Sequence, residues 1–330
     1  MRSNKAVIFS ALFIILLLSA SLGLILGGKT LSVSQIVNAL SAGNTHDIVS
    51  TIVLKIRLPR VLLAVVVGAG LAASGCILQG ILRNPLAGPY TLGISGGAAL
   101  GVSLGVLMGL GTVMSPVSAA FGALLSVSLV YFASSRRYFS AHSLILSGVI
   151  LNFLFSSMIL LLFALVRPDE LQSIMQWLLG DLSSTDTLLI KISSLITIAG
   201  LALLYILARD VDILTLGEEK ATHLGVDANR TIKFVFIIAS LVAGACVASS
   251  GIIGFVGIVI PHFMRRLMGP AHRPLIVASS LAGAIFLILS DTLARTIIYP
   301  MELPVGVVTG IVGGVIFLLF ILKGKEWAIF

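Results

Sequence analysis

The chain has 330 residues, 58% of them hydrophobic and only 10% charged, with a mean hydropathy of +1.14 and a formal net charge of +8. Soluble domains are about 45–50% apolar and about 25% charged, so this composition excludes a water-soluble globular protein and describes an integral membrane one.

A helix needs about 20 apolar residues to cross a hydrocarbon core about 30 Å thick. Runs of that kind recur at 7–28, 59–80, 90–110, 114–135, 143–166, 188–208, 232–252, 256–268, 274–298 and 304–323. The eighth is short and broken, so hydropathy alone gives nine or ten spans, all helical, in one membrane domain over 1–330. Arg2 and Lys5 ahead of the first run suggest a cleaved signal peptide. That run is long, however, and Gly27-Gly28-Lys29-Thr30 is a poor small-residue cleavage site, so it is read as a retained span. Gly23 to Thr30 also spells the phosphate-loop pattern GxxxxGK[ST]. Here it ends a membrane segment instead of joining a strand to a helix, which argues against nucleotide binding.

Further along, Gly97, Gly101, Gly105 and Gly109 repeat every four residues, a stripe that lets one helix backbone approach another closely. An internal repeat appears at larger spacing. Gly68, Ala69, Ala72, Ser74, Gly75, Ile77 and Pro85 recur as Gly244, Ala245, Ala248, Ser250, Gly251, Ile253 and Pro261. Five span boundaries separate the copies, which points to two inverted halves. Cys76 and Cys246 lie in apolar spans and read as small hydrophobes. His46, His142, His223, His262 and His272 are scattered without metal-ligand spacing and read as interfacial or loop residues. No Ser/His/Asp or paired-carboxylate arrangement argues for catalysis, and no metal site is expected.

Ten spans with an inside N-terminus place Arg2, Lys5, Arg83, Arg136, Arg137, Arg209, Lys220, Arg230, Lys233, Arg265, Arg266, Arg273, Lys323 and Lys325 in the cytoplasm. The outer face keeps Lys29, Lys55, Arg57, Arg60, Arg167, Lys191 and Arg295. This is a positive-inside bias, so the basic balance needs no nucleic acid to explain it. Both termini fall inside, as does the charged stretch 209–233. Within that stretch, Leu214 to Gly225 reads as a turn, one short helix begun by Glu218 and Glu219, and a glycine stop before Val226-Asp227. Such a helix is either a solvated loop or a knob held for a partner protein.

LTLGEEKATHLGVDANR, followed by SSGIIGFVGIVIPHFMRRLMGPAHRPLI, resembles the permease subunit of ABC importers for iron-siderophores, haem and cobalamin, of the FecCD type. LRNPLAGPYTLGISGGAALG and MELPVGVVTGIVGG extend the resemblance over about 57–322. It implies a type II importer permease with ten transmembrane helices, sitting multi-pass in the cell inner membrane. The permease would pair with a second copy, with two ATPase subunits below and a periplasmic or lipid-anchored substrate-binding protein above. ATP and Mg belong to the ATPase, and no cofactor is expected on this chain. By the resemblance, Leu216, Gly217, Glu218, Glu219, Ala221 and Gly225 form the loop that docks into the ATPase. Arg57, Arg60 and Arg295 match arginines that receive glutamates from the binding protein in the cobalamin permease. For Arg295 an i,i+4 pair with Asp291 is the alternative reading. Asn84, Pro85 and Leu86, with His142 and Ser143, match cytoplasmic gates, although His142 departs from the small hydroxyl residue of the family pattern. An ion-coupled secondary transporter would carry ionisable residues near mid-membrane, and these spans have almost none besides Asp291 near one end. Iron-siderophore is the preferred cargo, with cobalamin or haem next.

Overall fold

The computed structural model describes residues 2–42, 47–135, 139–184 and 186–322, and every regular element among them is helical. In order these are α1 (Arg2–Ile25), α2 (Val33–Ala42), α3 (Ile48–Thr51), a π-helical turn (Ile52–Arg57), α4 (Leu58–Leu82), α5 (Ile94–Leu107), a 3₁₀ turn (Thr112–Met114), α6 (Ser115–Ser135), α7 (Ala141–Phe163), α8 (Pro168–Leu178), α9 (Thr187–Leu214), α10 (Glu218–His223), α11 (Ala228–Ser250), α12 (Val256–Met268), α13 (His272–Thr296) and α14 (Val305–Leu322). His46, Arg136, Arg137, Lys323 and Lys325 lie outside the described residues.

A helix occupies each of the ten apolar segments, and among the described residues seven helices are long and apolar enough to cross a membrane. α5, α12 and α14 have 14, 13 and 18 residues, about 21, 20 and 27 Å at 1.5 Å per residue. Two of the three are short because irregular chain takes up part of their depth. Gly93, just before α5, lies against the backbone of Gly148, well inside α7, and its carbonyl accepts from Ser126 Oγ at 2.8 Å. Before α12, residues 251–255 are irregular and Gly257 meets Gly75 in the body of α4. Non-helical backbone at membrane depth is tolerated where it is buried in protein, and both stretches are packed that way.

Hydropathy missed α2, α3 and α8, because short helices of mixed polarity carry no span signal. α8 starts on Pro168, and the Arg167 backbone N–H donates to the Glu170 carboxylate at 3.1 Å. The Arg167 guanidinium donates to the same carboxylate at 2.7 Å and holds it below the usual carboxylate range.

The interior consists of α4, α11 and α13, with α4 packed against α13, α11, α9 and α12. α4 and α13 cross where Gly68 faces Gly283, and a Cβ on either would strike the other's carbonyl. The glycine stripe packs α5 on α6, with Gly97 and Gly101 meeting Gly122 and Gly105 meeting Ser118. Gly109 lies past the helix in a left-handed turn and faces nothing. Of the repeated positions, Gly68 to Ile77 lie on α4 and Gly244 to Ser250 on α11, which touch, but Gly251 and Ile253 fall in the irregular stretch after α11, Pro85 in the turn after α4 and Pro261 inside α12. Cys76 and Cys246 are buried free thiols.

Candidate functional site

The expected site residues gather at the two ends of the bundle. At one end, α9 and α11 extend into the charged stretch, which leaves only 215–227 outside long helices. α10 forms there because Gly217 (φ 120°) lets the chain turn sharply and Gly225 (φ 82°) stops it. Val226 N–H donates to Ala221 O at 2.9 Å and Gly225 N–H to Thr222 O at 3.0 Å, a glycine-based helix stop. Ala221 is fully buried, while Glu218, Glu219, Leu216 and Leu224 are exposed. One small side chain thus seats the helix, and its charged face points away.

Two contacts tie the end of α9, which leads into α10, to the interior. α4 ends at Arg83 in the left-handed region (φ 46°), a place usually taken by glycine. The Arg83 guanidinium donates to Leu214 O, the last carbonyl of α9, at 2.6 Å. Asp212 Oδ1 accepts from the backbone N–H of His272 at 2.8 Å and lies 2.6 Å from His272 Nδ1. His272, expected at an interface or in a loop, is instead 2% exposed. Arg265, expected in the cytoplasm, is likewise buried, with Nη1 3.3 Å from Gln79 Oε1.

Beside α10 lies a cavity of about 560 Å³ lined by Arg83, Asn84, Pro85, His142 and Glu218 among others. It brings three of the five expected gate residues together with one expected coupling residue. Leu86 is exposed and Ser143 instead donates its N–H to the N-cap Ser140 Oγ at 3.3 Å, and neither lines the cavity. Asn84 Oδ1 accepts from Leu86 N–H at 2.9 Å, which fixes the turn after α4.

At the opposite end, Arg57, Arg60 and Arg295 come together, 5%, 6% and 6% exposed. Arg60 Nε donates to both oxygens of Asp291, at 2.9 and 3.1 Å, and Nη1 to Glu302 at 2.7 Å. Arg295 Nε lies 3.1 Å from Asp291 Oδ2, so the expected i,i+4 pair forms, by proximity and without a well-aimed hydrogen bond. Arg57 donates to the carbonyls of Leu24 and Ile25, at 2.5 and 2.8 Å, and to that of Lys29. Arg295 reaches Gly23 O at 3.2 Å and Leu26 O at 3.5 Å. The last carbonyls of a helix lack partners within it and carry partial negative charge, so two arginines from other helices cap α1. The GxxxxGK[ST] spelling is this capped end, with Gly27 closed by Arg57 and Gly28 by Tyr299.

Beside the arginines, Gly180, Gly251 and Gly306 meet backbone to backbone. Asp181 N–H donates to Ser250 O at 2.8 Å, and Gly306 N–H to Leu179 O at 3.1 Å. Crevices of about 250 and 320 Å³ flank this junction and share Gln176 and Asp181, and Arg60 and Glu302 line the larger one. Among the described residues no group of three or more His, Cys, Asp or Glu is placed to hold a metal ion. Sequence reasoning missed Arg83, Asp212 and Glu302, each of which bonds to a residue more than 50 positions away.

A sequence profile described as the FecCD transport family matches residues 12–323. The hemin transport system permease protein HmuU of Yersinia pestis is 38% identical, over 98% of this chain and 98% of its own. The cobalamin import system permease protein BtuC of Halobacterium salinarum is also 38% identical, over 82% and 73%. A chain solved in an inward-facing conformation, of a transporter assigned to the metal-chelate ABC type, superposes with a TM-score of 0.87 at 31% identity. That match covers 96% of this chain and 99% of the other.

Proposed function

The chain belongs to the FecCD transport family, and from that premise we propose that it is the membrane permease of an ATP-driven importer that passes a metal chelate from a binding protein into the cytoplasm. It acts as a single domain of ten spans in the cell inner membrane, built from two inverted halves and paired with a second copy. Both termini and α10 face the cytoplasm, and the arginine end faces out. ATP and Mg bind the two ATPase subunits, and hydrolysis happens there. The observation that carries this reading is α10, a short helix with an exposed acidic face, seated by the buried Ala221 and sharing a cavity with Asn84, Pro85 and His142.

In this scheme closure of the ATPase pair displaces α10, and the displacement changes the cavity beside the turn after α4 and the start of α7. Leu216, Gly217, Glu218, Glu219, Ala221 and Gly225 supply the contact and its shape. Asn84, Pro85, Leu86, His142 and Ser143 form the cytoplasmic gate. The binding protein docks at the arginine end. Arg57 and Arg295 are occupied in capping α1, so Arg60 is the arginine best placed to receive an acidic partner. Its Glu302 neighbour is 53% exposed in the side chain and is the group that such a partner displaces.

An ion-coupled secondary transporter is less well supported, because the carboxylate buried in the spans, Asp291, is held between two arginines near one end. Iron-siderophore is the proposed cargo ahead of cobalamin and haem, and the ligand retained by the purified partner binding protein identifies it. Co-purification of the ATPase tests the contact. Glu219→Lys or Gly225→Pro is expected to abolish recovery of the ATPase from detergent extracts, and undiminished recovery would reject α10 as the contact.

A further inference from the structure

We propose that Asp212 and His272 are the positioning pair through which movement of α10 reaches α13, so that the interior and not α9 alone carries the stroke toward the arginine end. This rests on the reading of α10 as the ATPase contact.

α10 packs chiefly against α9 and the interior helix α11, and α9 in turn packs along α11, α4 and α13. A push on α10 therefore reaches the interior partly through side-chain packing. To pass it to the start of α13 through a directional polar contact needs a joint, and Asp212 provides one, two residues before the end of α9. The Thr215 hydroxyl donates to the Asp212 carbonyl at 2.7 Å, so the end of α9 closes on the residue that makes the joint.

The joint is chemically specific. The first N–H groups of a helix lack partners within it, and the N-cap residue Ala271 has no side chain to supply one. Asp212, sixty positions away, does so instead, accepting the His272 N–H at 2.8 Å. A carboxylate there also meets the positive end of the α13 dipole. The same oxygen takes His272 Nδ1 at 2.6 Å, and since an ionised carboxylate only accepts, Nδ1 carries the proton. The Nε2 side of the imidazole packs against the Gly80 backbone, where a Cβ would strike the ring. The ring thus lies on α4, and the Asp212–His272 pair joins α9, α13 and α4 at one point.

From that point α13 runs 25 residues, about 37 Å, to the opposite end. On the way it crosses α4 at Gly68 and Gly283, where the two backbones are in direct contact. At its far end Asp291 and Arg295 hold Arg60 and the carbonyls of α1. A displacement at Asp212 is therefore delivered to the arginine cluster.

The test uses the permease assembled with its ATPase and binding protein in proteoliposomes, measuring cargo imported per ATP hydrolysed. Asp212→Ala and His272→Leu are expected to keep complex assembly and ATP hydrolysis and to lower transport per ATP by about tenfold, within the usual range of coupling effects. His272→Asn places a side-chain N–H where Nδ1 stood and is expected to stay within about threefold of the parent, on the same scale. A spin label on the exposed Ile297, just past α13, is expected to move on ATP binding in the parent and to lose most of that movement in Asp212→Ala. Unchanged transport per ATP in assembled Asp212→Ala or His272→Leu, or an unchanged response at Ile297, would overturn the proposal. If His272→Leu does not fold, the Asp212→Ala and His272→Asn pair decides it alone. Parent uptake that needs no ATPase would overturn the proposed function itself, and that result is read before any variant is made.

Discussion

Replacing Asp291 with Ala removes the carboxylate on which Arg60 and Arg295 converge. Asp291 is 1% exposed, with Arg60 Nε 2.9 Å from one oxygen and Arg295 Nε 3.1 Å from the other. Afterwards Arg60 keeps Glu302 at 2.7 Å, whereas Arg295 keeps only the carbonyls of Gly23 and Leu26, at 3.2 and 3.5 Å. The substitution therefore leaves one buried guanidinium without a counter-charge. Breaking a buried pair by deleting one partner costs about 3–5 kcal/mol, while an exposed pair contributes under about 1 kcal/mol. Burial places Asp291 in the first class. A second variant, Asp291→Ala with Arg295→Met, removes the orphaned charge as well and is expected to recover more than half of the loss, because apolar replacement of a buried pair is often near neutral. Denaturant titration of the purified chain in detergent measures both. A loss under about 1 kcal/mol in the single variant, or a double variant less stable than the single, would refute the reasoning.

Gly283→Val drives a branched side chain into the Gly68 carbonyl and is expected to cost about 1–3 kcal/mol or more in the same titration. Gly225→Pro removes the N–H that bonds Thr222 O and forbids the positive φ. Beyond the loss of ATPase recovery already given, the local cost falls on the stop after α10, and the long helices are expected to stay folded, read as helix content by circular dichroism and a single elution peak in detergent. Glu302→Gln leaves Arg60 its Asp291 partner but frees Nη1 of an internal charge. Association with the binding protein is expected to quicken several-fold at low salt, measured by surface-immobilised kinetics, and a slower rate would place docking elsewhere.

What could be read from the sequence is whatever depends on near neighbours. Leu214 to Gly225 carries its own start, acidic first turn and glycine stop, and α10 follows that reading closely. The apolar runs gave a helix in each of ten places because burial in lipid needs only length and composition. The depth of those helices was not readable. α5 and α12 are short because residues 83–93 and 251–255 fold inward, and their packing on Gly148 and Gly75 is set by helices far away in sequence. The arginines show the same limit more sharply. Arg295 and Asp291 are four residues apart on one helix, and their pairing was foreseeable, whereas Arg57 capping α1 and Glu302 on Arg60 depend on three chain ends meeting. His272 was read as an interfacial or loop residue because no metal-ligand spacing singled it out, and it is buried between Asp212 of α9 and the Gly80 backbone of α4, both far away in sequence.

The account stands most directly on uptake by proteoliposomes that hold this chain, its ATPase and its binding protein with loaded metal chelate. Import is expected only when all three proteins and ATP are present, and it is expected to stop when the ATPase is omitted, whatever the proton gradient. Import by the chain alone, driven by a proton gradient without ATP, would contradict the account.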